Sequence, residues 1–582
     1  MVISIFISNR INNCFKFVIF VTFFLYLIIA YGQDTNKNNE SNRNDSALAT
    51  KNIGTIQIPE ITHNGRRVLL LMIDGLAVQA FETALKAGKL PNIQNLIKTR
   101  PTSSMRAIST FPSATSPSVP EFLSGSYSEI DNLPVPAAVH AFDREQHRVI
   151  RYVTDPDSWN WPVISLFDAT RGLSAITVFE GRWDGPTTIL TQFNIAKQAV
   201  LDFLGAKGLS DGDRGPVEGF FRAVRSSTPP SVSFVVLNEF DMAAHFYGPD
   251  SVEARAALIA SDRLIGEIIQ TLSETTGNNN KSQLEETIII LFGDHGLAPS
   301  GRFVDLVNFF KTRELKAVDV STVPHVMFRE RLGKLWTEWP DVILVSGGSN
   351  ITQVYLRQAT GDWRKNTITP PINNTTGNSG FPAPEKLARA LSTLEGVDQI
   401  IWMNGDQETR VLTQNNVTAR VLAKNDGSKR FAYVLEDDAQ YDPFAYLDRP
   451  EIKNLICRSG NITDACYFTR TQWFDKTINS RYPGAVALIS KAFHPNRFTG
   501  DLMVTLKPGY SFIRNQRGDH GNLLQSAILT PLILNGPGIT PCTESHQPKL
   551  VDLYPTVSVL LGAEPDDPAF HSLDGRVLDC VK

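Results

Sequence analysis

Cysteine is scarce in this chain. There are five in 582 residues, and no two are spaced as CxxC, which removes the usual cysteine zinc site. An excess of charge is missing too. Lys and Arg number 56 against 60 Asp and Glu, for a net charge of −4 and a pI near 6.2, so no nucleic-acid-binding surface is evident. No solenoid-type repeat is present. The N-terminal apolar run FVIFVTFFLYLIIAY, 17–31, falls short of the ~20 residues a spanning helix needs. Arg10 and Lys16 precede it, and the small residues Ala30 and Gly32 stand before Gln33. Residues 1–32 therefore read as a secretory signal peptide, with an uncleaved signal anchor tethering the chain to the membrane as the alternative. Either reading puts the bulk of the chain outside the cytosol, secreted or lumenal.

What remains supports a folded ectodomain. Apolar residues make up 42% and charged residues 20%, enough for a sizeable core. The length fits one large domain with insertions, or two to three domains. Cys14 falls in the signal, which leaves Cys457, Cys466, Cys542 and Cys580. An even count suits two disulfides in an oxidising compartment. Cys457–Cys466 with Cys542–Cys580 is the simplest of the three possible connectivities. Sequons at Asn39, Asn44, Asn280, Asn350, Asn373, Asn374, Asn416 and Asn461 predict a glycoprotein.

Residues 33–60 are polar and aperiodic, as in a flexible linker. From there strands and helices alternate. VLLLMI (68–73), SFVVLNEF (233–240) and TIIILFG (287–293) are continuous apolar runs, as in strands buried on both faces. AVALIS (485–490) and PLILNG (531–536) read the same way. AVQAFETALKAGK (77–89) has helical spacing. So does 251–272, with Ala256, Ile259, Leu264, Ile265, Ile268 and Ile269 as its apolar stripe. This alternation predicts an α/β fold with a mostly parallel sheet. Short alternating segments between 301 and 480, such as ITQVYLR, QIIWMN and RFAYVLE, predict an α+β insertion between core parts 61–300 and 481–582.

The ionisable residues sit where the strands end. Asp74 follows the first, Asp241 and His245 the second, Asp294 and His295 the third. In open α/β sheets the site lies beyond the carboxyl ends of the strands. A single Asp there is commonly a turn or cap residue. Three, two of them with a histidine, are hard to assign to capping. Gathered carboxylates repel one another, and a divalent cation removes that penalty. Mixed Asp and His donors favour Zn²⁺ over Mg²⁺ or Ca²⁺. FPSATSPSVPEFLSG (111–125) offers Thr115 as the N-cap of a helix, whose free N–H groups suit a phosphoryl or sulfuryl oxygen. A threonine hydroxyl beside zinc can act as nucleophile. By local chemistry alone the stretch is equally a plain capped loop. The tetrapeptide GDHG also occurs twice, at 293–296 and 518–521. The repeat is either coincidence or two turns approaching one charged object.

VLLLMIDGL, TFPSATSPSVPEFLSG, EFDMAAHFYGPDS, LFGDHGLAP and RGDHGN, in that order, with DLYPTVSVLLGAEPDDPAFHSLDGRVL near the end, resemble the alkaline phosphatase superfamily. The nearest branch is the type I phosphodiesterase/nucleotide pyrophosphatase family. The resemblance covers about 66–300 and 481–580. It implies an alkaline-phosphatase-like three-layer sandwich with a mostly parallel central sheet and an α+β insertion. It also implies two zinc ions, one held by Asp241, His245 and His520, the other by Asp74, Asp294, His295 and Thr115. The family's nucleophile lies ten residues before the Gly of a Thr/Ser-Gly pair, and Ser124-Gly125 selects Thr115 over Thr110. The implied reaction is in-line attack on phosphorus, a phosphothreonine intermediate, and hydrolysis by water. The expected substrate is a small phosphate ester, diester or nucleotide pyrophosphate. The alternatives are a phosphomonoesterase on the same scaffold and a catalytically silent binding glycoprotein. The chain departs from the family at AAVHAFD, where Val139, beside His140, stands in place of an Asn that binds a phosphoryl oxygen. That puts nucleotide diesters in question more than hydrolysis itself.

Overall fold

The structure is a computed structural model. It describes residues 58–127, 140–145, 147–151, 165–170, 173–178, 188–189, 212–320, 340–346, 350–357, 363, 384–405, 407–492, 498–541 and 543–582. The segment that reads as a signal, most of the segment that reads as a linker, Asn39, Asn44, Val139, Asn373, Asn374 and Cys542 lie outside these residues. Among the described residues no helix is long and apolar enough to cross a membrane.

A seven-stranded sheet forms the first layer system. Its order is Thr102–Ile108, Leu529–Asn535, Thr287–Phe292, Arg67–Ile73, Val232–Leu237, Ala175–Val178, Thr188–Ile189. From Thr287–Phe292 onward every pairing is parallel, and Leu529–Asn535 is antiparallel to both its neighbours. The continuous apolar runs are explained by burial on both faces. Alternate residues Val68, Leu70 and Met72 pack with helices Thr115–Ser124 and Leu553–Leu560. Leu69, Leu71 and Ile73 pack on the opposite face with Val78–Lys86, Pro91–Thr99, Arg214–Val224 and Val252–Glu274. The result is the expected three-layer α/β sandwich.

The 251–272 helix is observed as Val252–Glu274, capped by Ser251, whose hydroxyl accepts from the Ala254 N–H. Its buried stripe is Ala254, Ala257, Leu258, Leu264, Ile265 and Ile268, one position off the predicted Ala256 and Ile259. AVALIS is a correction: it is part of the helix Ala485–Ala492, not a strand. A short run buried all round has no periodicity to read, and its alanines favour helix. The second predicted strand ends at Leu237, and Glu239 already opens the next helix.

A second, ten-stranded sheet runs through Ala317–Asp319, Val342–Val345, Ile351–Leu356, Leu502–Leu506, Val397–Met403, Glu408–Leu412, Thr418–Ala423, Arg430–Leu435 and Ile456–Arg458, with Phe468–Thr469 also on Arg430–Leu435. Most of it comes from 301–480. Leu502–Leu506, however, pairs antiparallel with both Ile351–Leu356 and Val397–Met403. Cys457 and Cys466 are disulfide-bonded, with Cα atoms 5.8 Å apart. Of the sequons, Asn280, Asn416 and Asn461 are exposed. Asn350 is a correction, because its side chain is fully buried and leaves no room for a glycan.

Candidate metal centre

Three strands and one loop deliver the site. Asp74 follows the strand Arg67–Ile73 and its N–H donates to Leu237 O (2.9 Å). Gly75 turns the chain away at φ 71°, and a Cβ there would stand 2.7 Å from Asp241 Oδ1. Its N–H donates to Asp294 Oδ1 (3.1 Å). Asp241 and His245 lie one turn apart on the helix Glu239–Tyr247, with Nε2 of His245 3.3 Å from Asp241 Oδ2. Nε2 of His295 lies 3.4 Å from Asp74 Oδ1 and 3.5 Å from Asp294 Oδ2. His520 stacks on His295 with ring centroids 4.0 Å apart, and the His245 ring lies 5.0 Å from it.

Thr115 is the first residue of its helix and not the N-cap. Ala114 holds that position in extended conformation, with no side-chain cap. This corrects the capping expectation, and the physical consequence is favourable. The hydroxyl is not committed to the helix's own N–H groups. It lies 3.4 Å from Asp74 Oδ1 and 3.2 Å from His295 Nε2.

Both GDHG copies reach this place. The second copy forms a short antiparallel ladder with the residues just past the first, Gly518–Asp519 on Ala298–Pro299. The glycines permit close approach: a Cβ at Gly518 would run into the Ala244 carbonyl of the His245 helix. Two serines of 111–125, with Ser109 just before that stretch, bind the two turns. Ser118 donates to Asp294 O (3.0 Å), and Ser109 to the same oxygen. Ser113 donates to Asn522 O (2.8 Å) and accepts from the Gly521 N–H (3.0 Å). Ser113 and Ser118 carried no motif. Their density in FPSATSPSVP was the one available signal.

Each histidine turns Nδ1 to a backbone carbonyl: His245 to Gly518 (2.9 Å), His295 to Gly296 (3.3 Å), His520 to Ser113 (2.9 Å). With Nδ1 as donor, Nε2 is left as a lone-pair ligand, the usual arrangement around a metal. Two groups have donor atoms all within 4.8 Å of one another, Asp74/Asp294/His295 and Asp241/His295/His520. His295 therefore stands between them, and His245 adjoins the second through Asp241.

The electrostatics are those of crowded donors. Burial, then the Asp294 and Asp241 carboxylates, push Asp74 well above the ordinary carboxylate range. Burial raises Asp294 as well. Burial also opposes ionisation of Asp241, but the charge and hydrogen bond of His245 outweigh it and hold this carboxyl below its usual range. His245 is raised to about 9, because Asp241 overrides the effect of burial. Burial, with His295 and His245 nearby, holds His520 well below the usual imidazole value. Asp241 Oδ1 and Asp294 Oδ2 are buried with no hydrogen-bond donor among the described residues. Orphaned carboxylate oxygens beside imidazole lone pairs fit divalent cations of the zinc type.

The AAVHAFD segment gives a hairpin, His140–Asp143 with Arg148–Arg151. Asp143 is buried and accepts from the Glu145 N–H (2.9 Å).

A chain with this sheet, this site and this order of motifs is matched over residues 68–372 by the type I phosphodiesterase/nucleotide pyrophosphatase family. The match spans more than half the sequence, and the chain belongs to that family, among the phosphodiesterase and pyrophosphatase hydrolases. Among solved structures it is similar to human ectonucleotide pyrophosphatase/phosphodiesterase 5, at 13% identity and a TM-score of 0.48, covering 86% of this chain and 96% of that one. The murine counterpart gives 12% identity and a TM-score of 0.48, covering 88% of this chain and 100% of that one. No curated protein sequence matches the chain.

Proposed function

We propose that this chain is a two-zinc hydrolase of small phosphate esters, of the phosphodiesterase or nucleotide pyrophosphatase type, with Thr115 as its nucleophile. The observation that carries the reading is one arrangement. A threonine hydroxyl at a helix start lies within 3.4 Å of both a carboxylate and an imidazole of a buried Asp/His cluster that has orphaned oxygens.

Asp74, Asp294, His295 and Thr115 would hold one ion, and Asp241, His245 and His520 the other. Zinc would supply positive charge that acidifies a bound hydroxyl and offsets charge developing on phosphoryl oxygens. The chain's own residues account for the rest. Thr115 releases its hydroxyl proton to solvent as Oγ1 forms the bond to phosphorus, while the bond to the leaving oxygen breaks on the opposite side and that oxygen takes up a proton from solvent. Water then takes the phosphoryl group from Thr115 and restores the hydroxyl. The free N–H groups of the first helical turn donate to the non-bridging oxygens. The three backbone carbonyls that fix the imidazoles keep the donors in place between turnovers.

The N-terminal segment and the Cys457–Cys466 bridge support a secreted or lumenal location, with Asn280, Asn416 and Asn461 as glycan acceptors on exposed positions.

The test is turnover of bis-p-nitrophenyl phosphate and p-nitrophenyl phosphate, with zinc content measured on the same samples. Wild type is expected to favour the diester. Thr115→Ala is expected to lose at least about 10³-fold in kcat while keeping its metal. Undiminished turnover in that variant removes Thr115 from the chemistry. Faster monoester cleavage by wild type reassigns the enzyme to phosphomonoesters.

A further inference from the structure

Asn350 and Asp519 belong to neither ligand set, and both are fully buried. Asp519 immediately precedes His520. Its Oδ1 accepts from the His520 N–H (2.9 Å), and its Oδ2 accepts from the Ser511 hydroxyl (2.8 Å). Asn350 immediately precedes the strand Ile351–Leu356 of the second sheet. Its own N–H donates to His520 O (2.5 Å). With the amide nitrogen turned toward the acceptors, its side chain donates to Asp519 Oδ2 (3.0 Å) and to Tyr510 O (2.7 Å).

One residue of the second sheet thus grips His520 twice. Its backbone holds the His520 carbonyl, and its side chain holds the carboxylate bonded to the His520 N–H. On the other side the imidazole is tied to Ser113 O, two residues before Thr115. The His520 loop is suspended between the nucleophile segment and the second sheet.

We propose that Asn350 and Asp519 form a positioning pair through which the second sheet sets His520 as a metal ligand. Neither touches substrate, and both act through His520. The proposal rests on the two-metal reading above. It gives the second GDHG copy a use for its aspartate different from that of the first, where Asp294 is itself a donor. It also gives the sequon at Asn350 a purpose in which the amide is committed inside the protein. Hydrogen bonds behind a ligand hold it to the tolerance that metal coordination requires.

The pair is tested on the purified full chain by competing zinc off with a chelator of known affinity. The readouts are zinc per chain, the two dissociation constants and the thermal midpoint with and without zinc. Asp519→Asn keeps the shape but turns an amide N–H₂ or a weaker acceptor toward Ser511 and Asn350. Asn350→Asp sets two carboxylates face to face. In each variant one ion is expected to weaken by about 10–100-fold while the other holds, and the zinc-dependent rise in thermal midpoint shrinks. Unchanged affinities at both sites, with only a lower midpoint in chelator, would mean a merely structural role and overturn the proposal. Wild type that binds no zinc overturns the two-metal reading, and this proposal with it. The wild-type glycopeptide map gives an independent readout should either variant fail to fold: Asn350 is expected bare, and a glycan there refutes the pair.

Discussion

At the scale of single residues, the site is a set of charges that cannot all be satisfied by the protein. The raised carboxyls and the raised His245 give the chelated protein a definite pH response. A group whose folded pKa lies above its unfolded value stabilises fully below the unfolded value, and that stability is lost as pH rises through the folded value. His245, raised to about 9, therefore loses its contribution on going from neutrality to above pH 9. Asp519, pushed by burial to about 7, and the raised Asp74 and Asp294 act in the same direction. His520 is lowered, and Asp241 is held below the carboxylate range, so both have finished titrating in either state by then. The chelated protein is expected to melt progressively lower from about pH 7.5 to 9.5, and zinc to blunt the trend, since bound donors are already deprotonated. A thermal midpoint in chelator that is flat or rising over this interval contradicts the charge assignment.

At the scale of elements, the Thr115 helix is fixed from beneath. Phe122 meets Phe234 and Phe292 edge-on, with centroids 5.7 and 5.2 Å away. Phe122→Ala is expected to cost about 3–5 kcal/mol in denaturant unfolding, together with a loss of kcat, because the helix start moves with its anchor. Glu121 of the same helix forms a buried ion pair with Lys491, which also donates to Thr110. Lys491→Met takes the ammonium away from a buried carboxylate and is expected to cost about 3–5 kcal/mol, whereas Lys491→Met with Glu121→Leu costs clearly less. A double variant as unstable as the single one would show that the charges are not the coupled feature. Lys491 directly follows AVALIS, the segment that reads as a strand in sequence, and lies on the helix Ala485–Ala492. Only as a helix does AVALISKA aim this lysine at Glu121.

At the scale of the whole molecule, the two sheets are not separable by cutting the sequence at their apparent junction. Leu502–Leu506 is fully buried between Ile351–Leu356 and Val397–Met403, although it follows the segment that reads as the insertion. Removing 301–480 would take away both strands that pair with this apolar segment. Such a deletion is expected to aggregate on expression. A soluble, monomeric deletion protein with a cooperative melt would show that the sheets fold independently.

The sequence by itself determined the α/β class, Asp74 and Asp294 just past the ends of their strands, Asp241 on the chain that leaves its own strand, the histidines beside them, and the family. These follow from local rules: a strand buried on both faces must read as unbroken apolar residues, and a site beyond its end must follow directly in the chain. The Cys457–Cys466 bridge, the simplest of the three connectivities, was legible for the same reason, since its ends are nine positions apart. Only the tertiary structure decided that Thr115 begins its helix uncapped, that Ser113 and Ser118 fasten the two GDHG turns, and that Asn350 is spent on Asp519 and Tyr510. Each of these depends on partners 40 to more than 400 positions away. A serine, an asparagine or a short apolar run has the same local chemistry in a loop, a glycan site or a core, and the neighbour that folding brings to it settles which.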